Sequence, residues 1–204
     1  MIRSLISIRM DYYILFGIIA VIVGLGGFVP YYRDILKGNT KPHAFSWLIW
    51  GLVQIIAFFA QISKGGGAGA WLVGVGGLAC LSIFVFALFR GEKEIVLLDK
   101  VSLVLALIGI VLWAITSNPL NAVILAVIVD ALGFVPTYRK AYKKPKEETL
   151  ITYFLSGLGF AISISALQAI SLTTVLYPIS VVITNSGFIA MVMLRRNVQD
   201  KKVH

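Results

Sequence analysis

Residues 27–38 read GFVPYYRDILKG, and residues 133–144 read GFVPTYRKAYKK. The two stretches lie 106 residues apart, and each falls where an apolar run gives way to charge. Sliding the chain against itself by that offset makes nine of 26 positions identical when 27–52 is set against 133–158. The matches include Gly27/Gly133, Pro30/Pro136, Tyr32/Tyr138, Arg33/Arg139 and Lys37/Lys143. Chance matching of apolar sequence supplies Leu and Val pairs, not Gly, Pro, Tyr, Arg and Lys in register. The spacing therefore predicts an internal duplication.

Composition sets the solvent. The chain is 59% hydrophobic and 13% charged, with mean hydropathy +0.93, whereas a soluble domain carries about 25% charged residues. An integral membrane protein is expected. Its apolar runs are continuous rather than alternating, which favours helices over barrel strands. Cys80 is the single cysteine and reads as a small buried residue. The opening MIRSLISIRMDYY does not read as a cleavable signal peptide, and Met10 is open as an alternative start.

A crossing needs about 20 residues. Asp11 to Arg33 encloses 21 residues, Lys41 to Lys64 encloses 22 and Lys64 to Arg90 encloses 25, one crossing each. Lys100 to Arg139 encloses 38, broken by the turn signal Ser117-Asn118-Pro119, and Glu148 to Arg195 encloses 46, so each holds two. The expectation is seven helices at 12–32, 44–62, 70–89, 100–116, 119–138, 150–168 and 173–194. This count places 15 Lys and Arg on one side and only Arg3, Arg9 and Lys64 on the other. The positive-inside rule then puts the N-terminus outside and the C-terminus in the cytoplasm of a multi-pass cell-membrane protein. The +9 net charge is accounted for by basic loops facing anionic lipid, with no nucleic-acid partner.

The 106-residue offset carries helix 1 onto 5, 2 onto 6 and 3 onto 7, leaving helix 4 without a counterpart. Two three-helix units in tandem would point opposite ways, and one extra crossing restores the same orientation. The expected fold is all-α: two parallel three-helix repeats joined by a linker helix, 3+1+3, with a site between them near the midplane. The segments are an extracytoplasmic N-terminus (1–11), repeat 1 (12–90), a cytoplasmic loop and linker helix (91–117), repeat 2 (118–195) and a cytoplasmic tail (196–204).

This plan, and the pieces GFVPYYRDILKGNTKPHAFSW and GFVPTYRKAYKKPKEETLITYF, resemble the SWEET sugar transporters and the wider PQ-loop group. The glutamine of the proline–glutamine pair is replaced by Tyr31 and Thr137. The resemblance implies transport by alternating access with Pro30 and Pro136 as hinges. It also implies an asparagine in the seventh helix, here Asn185. The bacterial nicotinamide riboside transporters share a 3+1+3 plan and remain the rival. Independently, a proline deletes one helix hydrogen bond and allows a kink. It equally marks the end of a span.

Asp130 is the one charged residue inside a predicted span. Nine residues before Arg139, it lies about 14 Å from the charged edge at 1.5 Å per residue. A carboxylate at that depth faces a cavity or a partner, because lipid exposure costs about 2.5–3.5 kcal/mol. It is a proton-coupling candidate, with helix packing as the alternative. Asn185, Trp50 and Ser156 reach similar depth and complete the expected solute site; Gln54 and Thr184 are weaker candidates. Trp50 offers a face for a pyranose or a cation, or simply packs. Arg33, Arg139, Trp71 and Tyr177 are gate candidates, with lipid phosphates and the aromatic belt as the competing readings. His43 reads as a helix-start residue, and 143–148 as a solvated basic loop ending in Glu147-Glu148.

There is no Gly-rich phosphate loop, metal-spaced cluster or carboxylate pair within the spans, so no enzyme, cofactor or metal is expected. The expectation is a transporter of a sugar or amino acid, proton-coupled through Asp130 or a plain facilitator, with a homo-oligomer left open. The competing class is a receptor or assembly component on the same fold that moves nothing.

Overall fold

The computed structural model describes residues 2–115 and 118–200. Residue 116, Ser117 of the anticipated turn, Lys201 and Lys202 lie outside them, as do the side chains of Arg3 and Arg9. The described residues hold no strand. They form α1 (Ile2–Gly26), α2 (Phe28–Leu36), α3 (Ala44–Ser63), α4 (Trp71–Arg90), α5 (Leu97–Ala114), α6 (Pro119–Lys143), α7 (Leu150–Ser165) and α8 (Leu172–Asp200). Short 3-10 turns occupy Gly67–Ala70 and Pro145–Glu147.

Five stretches are long and apolar enough to cross a membrane: Asp11–Leu36, Ala44–Ser63, Gly67–Arg90, Pro119–Lys143 and Leu172–Asp200. α7 is a shorter apolar helix of 16 residues, about 24 Å long at 1.5 Å per residue. α5 has 18 residues and turns Val101, Val104, Ile108 and Val111 outward. The surface is greasy while polar side chains are kept inside: Ile22, Leu78, Phe89 and Ile183 are exposed while Asp130, Gln54, Gln61 and Asn185 are buried. Water would penalise that distribution; hydrocarbon does not.

Local chemistry places the helix ends. Asn118 caps α6 by accepting from the Leu120 N–H at 2.9 Å, with Pro119 at the first position, where it forfeits no hydrogen bond. The expected single first helix is interrupted at Gly27, which keeps helical dihedrals (φ −66, ψ −24). Restarting there puts Pro30 in the first turn of α2, where a missing N–H is harmless. Thr152 Oγ1 donates to the Gly27 carbonyl at 2.7 Å. Its repeat counterpart behaves differently: α6 runs unbroken through Pro136.

The helix pairings recur under the 106-residue offset. α4 packs on α3 and α1, as α8 packs on α7 and α6; α1 packs on α7, as α6 packs on α3. Glycines make the cross-pairings close. A Cβ at Gly159 would lie 2.7 Å from Gly24 Cα on α1, and one at Gly133 would lie 2.9 Å from Trp50 Nε1 on α3. α5 lies outside this scheme, chiefly against α6.

Candidate functional site

Where α1 meets α7 and α3 meets α6, the chain encloses a cavity of about 50 Å³. That is room for roughly four waters, not for a hexose. Trp50, Asp130, Ser156 and Asn185 all line it. So do Gln54 and Tyr177, with Phe28, Phe134 and Tyr153 as aromatic wall.

The Asp130 carboxylate is buried, and its Oδ1 accepts from the Tyr177 hydroxyl at 2.9 Å. The Trp50 indole N–H donates to the Asp130 backbone carbonyl at 3.2 Å, so α3 and α6 are tied at the height of the carboxylate. Gln54 Nε2 donates to Cys80 Sγ at 3.2 Å, while its Oε1 is buried without a partner. The side chains of Asn185 and Ser156 make no hydrogen bond among the described residues, and Asn185 packs over Gly157. No Lys, Arg or His is among the lining residues.

Toward the charged loops the cavity ends in a clasp between the repeated segments. Lys41 and Glu147, equivalent under the offset, pair with each other at 3.0 Å. Lys140 is 1% exposed; it pairs with Glu148 and donates to the carbonyls of Lys41 (2.6 Å) and Glu147 (3.1 Å). Tyr153, part of the cavity wall, donates its hydroxyl to Glu148 Oε2 at 3.1 Å. Thr149 donates to Asp34 Oδ2 at 2.8 Å and contacts the Thr40 hydroxyl at 2.6 Å. The stretch read as a solvated loop is thus corrected at its end: Glu148 is buried against Lys140, because charge pairing and three carbonyl or hydroxyl partners replace water there.

Beside the clasp, Arg139 grips Asp99 with two hydrogen bonds (2.9 and 2.7 Å) and the Glu94 carbonyl at 2.6 Å, fastening the start of α5 to α6. His43 begins α3 as expected, yet it is buried, with Nε2 3.3 Å from Asp99 Oδ2 and outside hydrogen-bond geometry. Burial pushes its imidazole below the ordinary histidine range, against the opposing pull of Asp99. Burial also acts to raise Glu92, but the Glu94 N–H and the Lys144 ammonium outweigh it and carry that carboxyl down to about 2.

The four expected solute-site residues therefore share one cavity, but the gate candidates separate. Tyr177 is fully buried as the partner of Asp130. Trp71, its repeat equivalent, is 38% exposed and does not line the cavity. Arg139 is held in the loop network; Arg33 stands largely exposed, with its Nε 3.1 Å from Asp34 Oδ1. Lys140 and Glu148 escaped sequence reading, although Glu147-Glu148 are the only carboxylates in an otherwise basic loop. A second proline inside a helix, Pro178, follows Tyr177 in α8. Comparison with family models, curated proteins and solved structures gives no match.

Proposed function

We propose that the protein is a membrane transporter of a small polar solute, working by alternating access between two parallel three-helix repeats. In this reading α1–α2, α3 and α4 form one repeat, α6, α7 and α8 the other, and α5 is the linker crossing, giving seven spans. The observation that carries it is the position of the cavity. It lies between the two pairings that the repeat relates, and it gathers the deep polar residues Trp50, Asp130, Ser156 and Asn185. The resemblance to SWEET and PQ-loop transporters points the same way.

The charge asymmetry orients the chain with the N-terminus outside and the clasp in the cytoplasm. The clasp is then the cytoplasmic gate in its shut state, and opening separates Lys41 from Glu147 and Lys140 from Glu148. Pro30 and Pro136 lie on the cavity side of those pairs and serve as hinges. A sugar or amino acid enters among the four polar residues as the clasp opens and the cavity widens, and Asp130 carries a proton where transport is coupled.

A thermal-shift screen of sugars, amino acids and nucleosides at two pH values, followed by flux of any hit in proteoliposomes, tests this. Ligand stabilises the folded state by mass action. Pro30→Ala and Pro136→Ala are expected to cripple flux while leaving the thermal shift in place. A ligand that binds but is never moved by the unmodified protein would instead make the chain a receptor or assembly component.

A further inference from the structure

We propose that the solute admitted to this cavity carries a protonated amine: a small organic ammonium rather than a neutral polyol or an anion. The inference rests on reading the cavity as the solute site. It comes from an inventory of donors and acceptors. The Tyr177 hydroxyl is spent on Asp130 Oδ1, the Trp50 indole N–H on the Asp130 carbonyl, and Gln54 Nε2 on Cys80. What remains unpartnered next to them is accepting: Asp130 Oδ2, and Gln54 Oε1, which is buried and seated against Gly76.

An ammonium has three donors and no acceptor, so it completes this set; a carboxylate or phosphate placed beside Asp130 would meet like charge and find free donors only on Asn185 and Ser156. Charge agrees, since the lining residues include one carboxylate and no Lys, Arg or His. A buried carboxylate without a counter-charge is costly, and a bound cation removes that cost. The walls agree as well. Trp50 and Phe134 pack with ring centroids 4.6 Å apart and planes tilted by 59°, Tyr153 closes the same side, and aromatic faces attract cations. Asn185 and Ser156, with free donors and acceptors, are left for the polar remainder of the solute. The small volume restricts that remainder to a few atoms unless the cavity opens.

Cys80, the only cysteine, lines the cavity and reports its occupancy without any engineered label. The experiment is the rate of Cys80 alkylation by N-ethylmaleimide in the purified full-length protein at neutral pH. Ethanolamine, ethylene glycol and glycolate are compared at equal concentration and ionic strength, since they differ chiefly in the charge of one end. Ethanolamine alone is expected to slow the reaction, saturably, by about tenfold at ten times its Kd. Asp130→Asn is expected to abolish the protection and Asp130→Glu to keep it. If the asparagine variant does not fold, Gln54→Met removes the spare acceptor at similar volume and is expected to weaken protection.

Equal protection by glycol or glycolate overturns the amine inference but leaves a solute site standing. So does ethanolamine protection that survives Asp130→Asn. A reactive Cys80 that none of the three protects overturns the inference and leaves the carboxylate to a proton. Where the buried thiol is inert to the reagent, the thermal shift given by the same three compounds replaces the alkylation rate, and a shift by none of them overturns the inference.

Discussion

Asp130 holds a tyrosine on one carboxylate oxygen and, among the described residues, no hydrogen-bond partner on the other. The asparagine isostere keeps the Tyr177 contact and removes the charge. If this carboxylate carries the coupled proton, flux by Asp130→Asn in proteoliposomes loses its dependence on pH; an unchanged pH profile would contradict the coupling. Packing at Gly133 makes a second claim at this scale. A Cβ there meets Trp50 Nε1 at 2.9 Å and Ile49 Cγ2 at 3.0 Å, whereas one at Gly26 meets nothing within 4 Å. Gly133→Ala is expected to destabilise by about 1–3 kcal/mol through overpacking, and Gly26→Ala by no more than about 0.5 kcal/mol either way. Equal melting of the two variants would contradict the close α3–α6 contact. Counting residues from the charged edge was enough to place Asp130, Trp50, Ser156 and Asn185 at a common depth. It could not say that Tyr177 turns inward while its counterpart Trp71 turns out, because equal depth leaves the rotation of a helix undetermined.

At the scale of elements, the two GFVP segments share a sequence but not a helix geometry. α1 and α2 part at Gly27, while α6 carries Pro136 through its interior. The difference follows from the neighbours: Thr152 supplies a hydroxyl to the Gly27 carbonyl, and at the matching position Gly133 faces the Trp50 ring edge. Sequence identity concealed this asymmetry. The clasp was hidden for a related reason, since only folding brings Lys140 to Glu148 across the α6–α7 turn. Both side chains are 1% exposed, so Lys140→Met strands a buried carboxylate and is expected to cost about 3–5 kcal/mol. Adding Glu148→Gln is expected to recover most of that loss in the same denaturation assay; no recovery would contradict pairing as the cause. The α5 attachment carries a pH signature. Burial lowers the His43 value from 6.5, so the folded state prefers the neutral ring. Its contribution is complete above the unfolded value and declines as pH falls through it toward the lowered folded one. The melting temperature is expected to fall as pH drops through about 6.5, less so in His43→Asn. The Glu92 contact, with its carboxyl near 2, should persist throughout that range.

For the whole molecule, the argument is one of symmetry. Pairings α1–α7 and α3–α6 are related by the repeat, and the cavity lies between them. In the reading proposed above, two halves related in this way would have two equivalent tilts, which is what alternating access requires. The measurement that tests this most directly uses Cys80 in vesicles of known orientation and a membrane-impermeant thiol reagent applied to one face at a time. Thr40→Cys and Thr149→Cys are introduced together, because the hydroxyl oxygens they replace lie 2.6 Å apart, so that oxidation staples the clasp shut. The account predicts that Cys80 in the otherwise unmodified protein reacts from either face. With the staple formed and its own thiols consumed, reaction from the clasp face should stop and reaction from the opposite face should continue. Cys80 reached from one face only, or reached from the clasp face as readily with the staple as without it, would contradict alternating access.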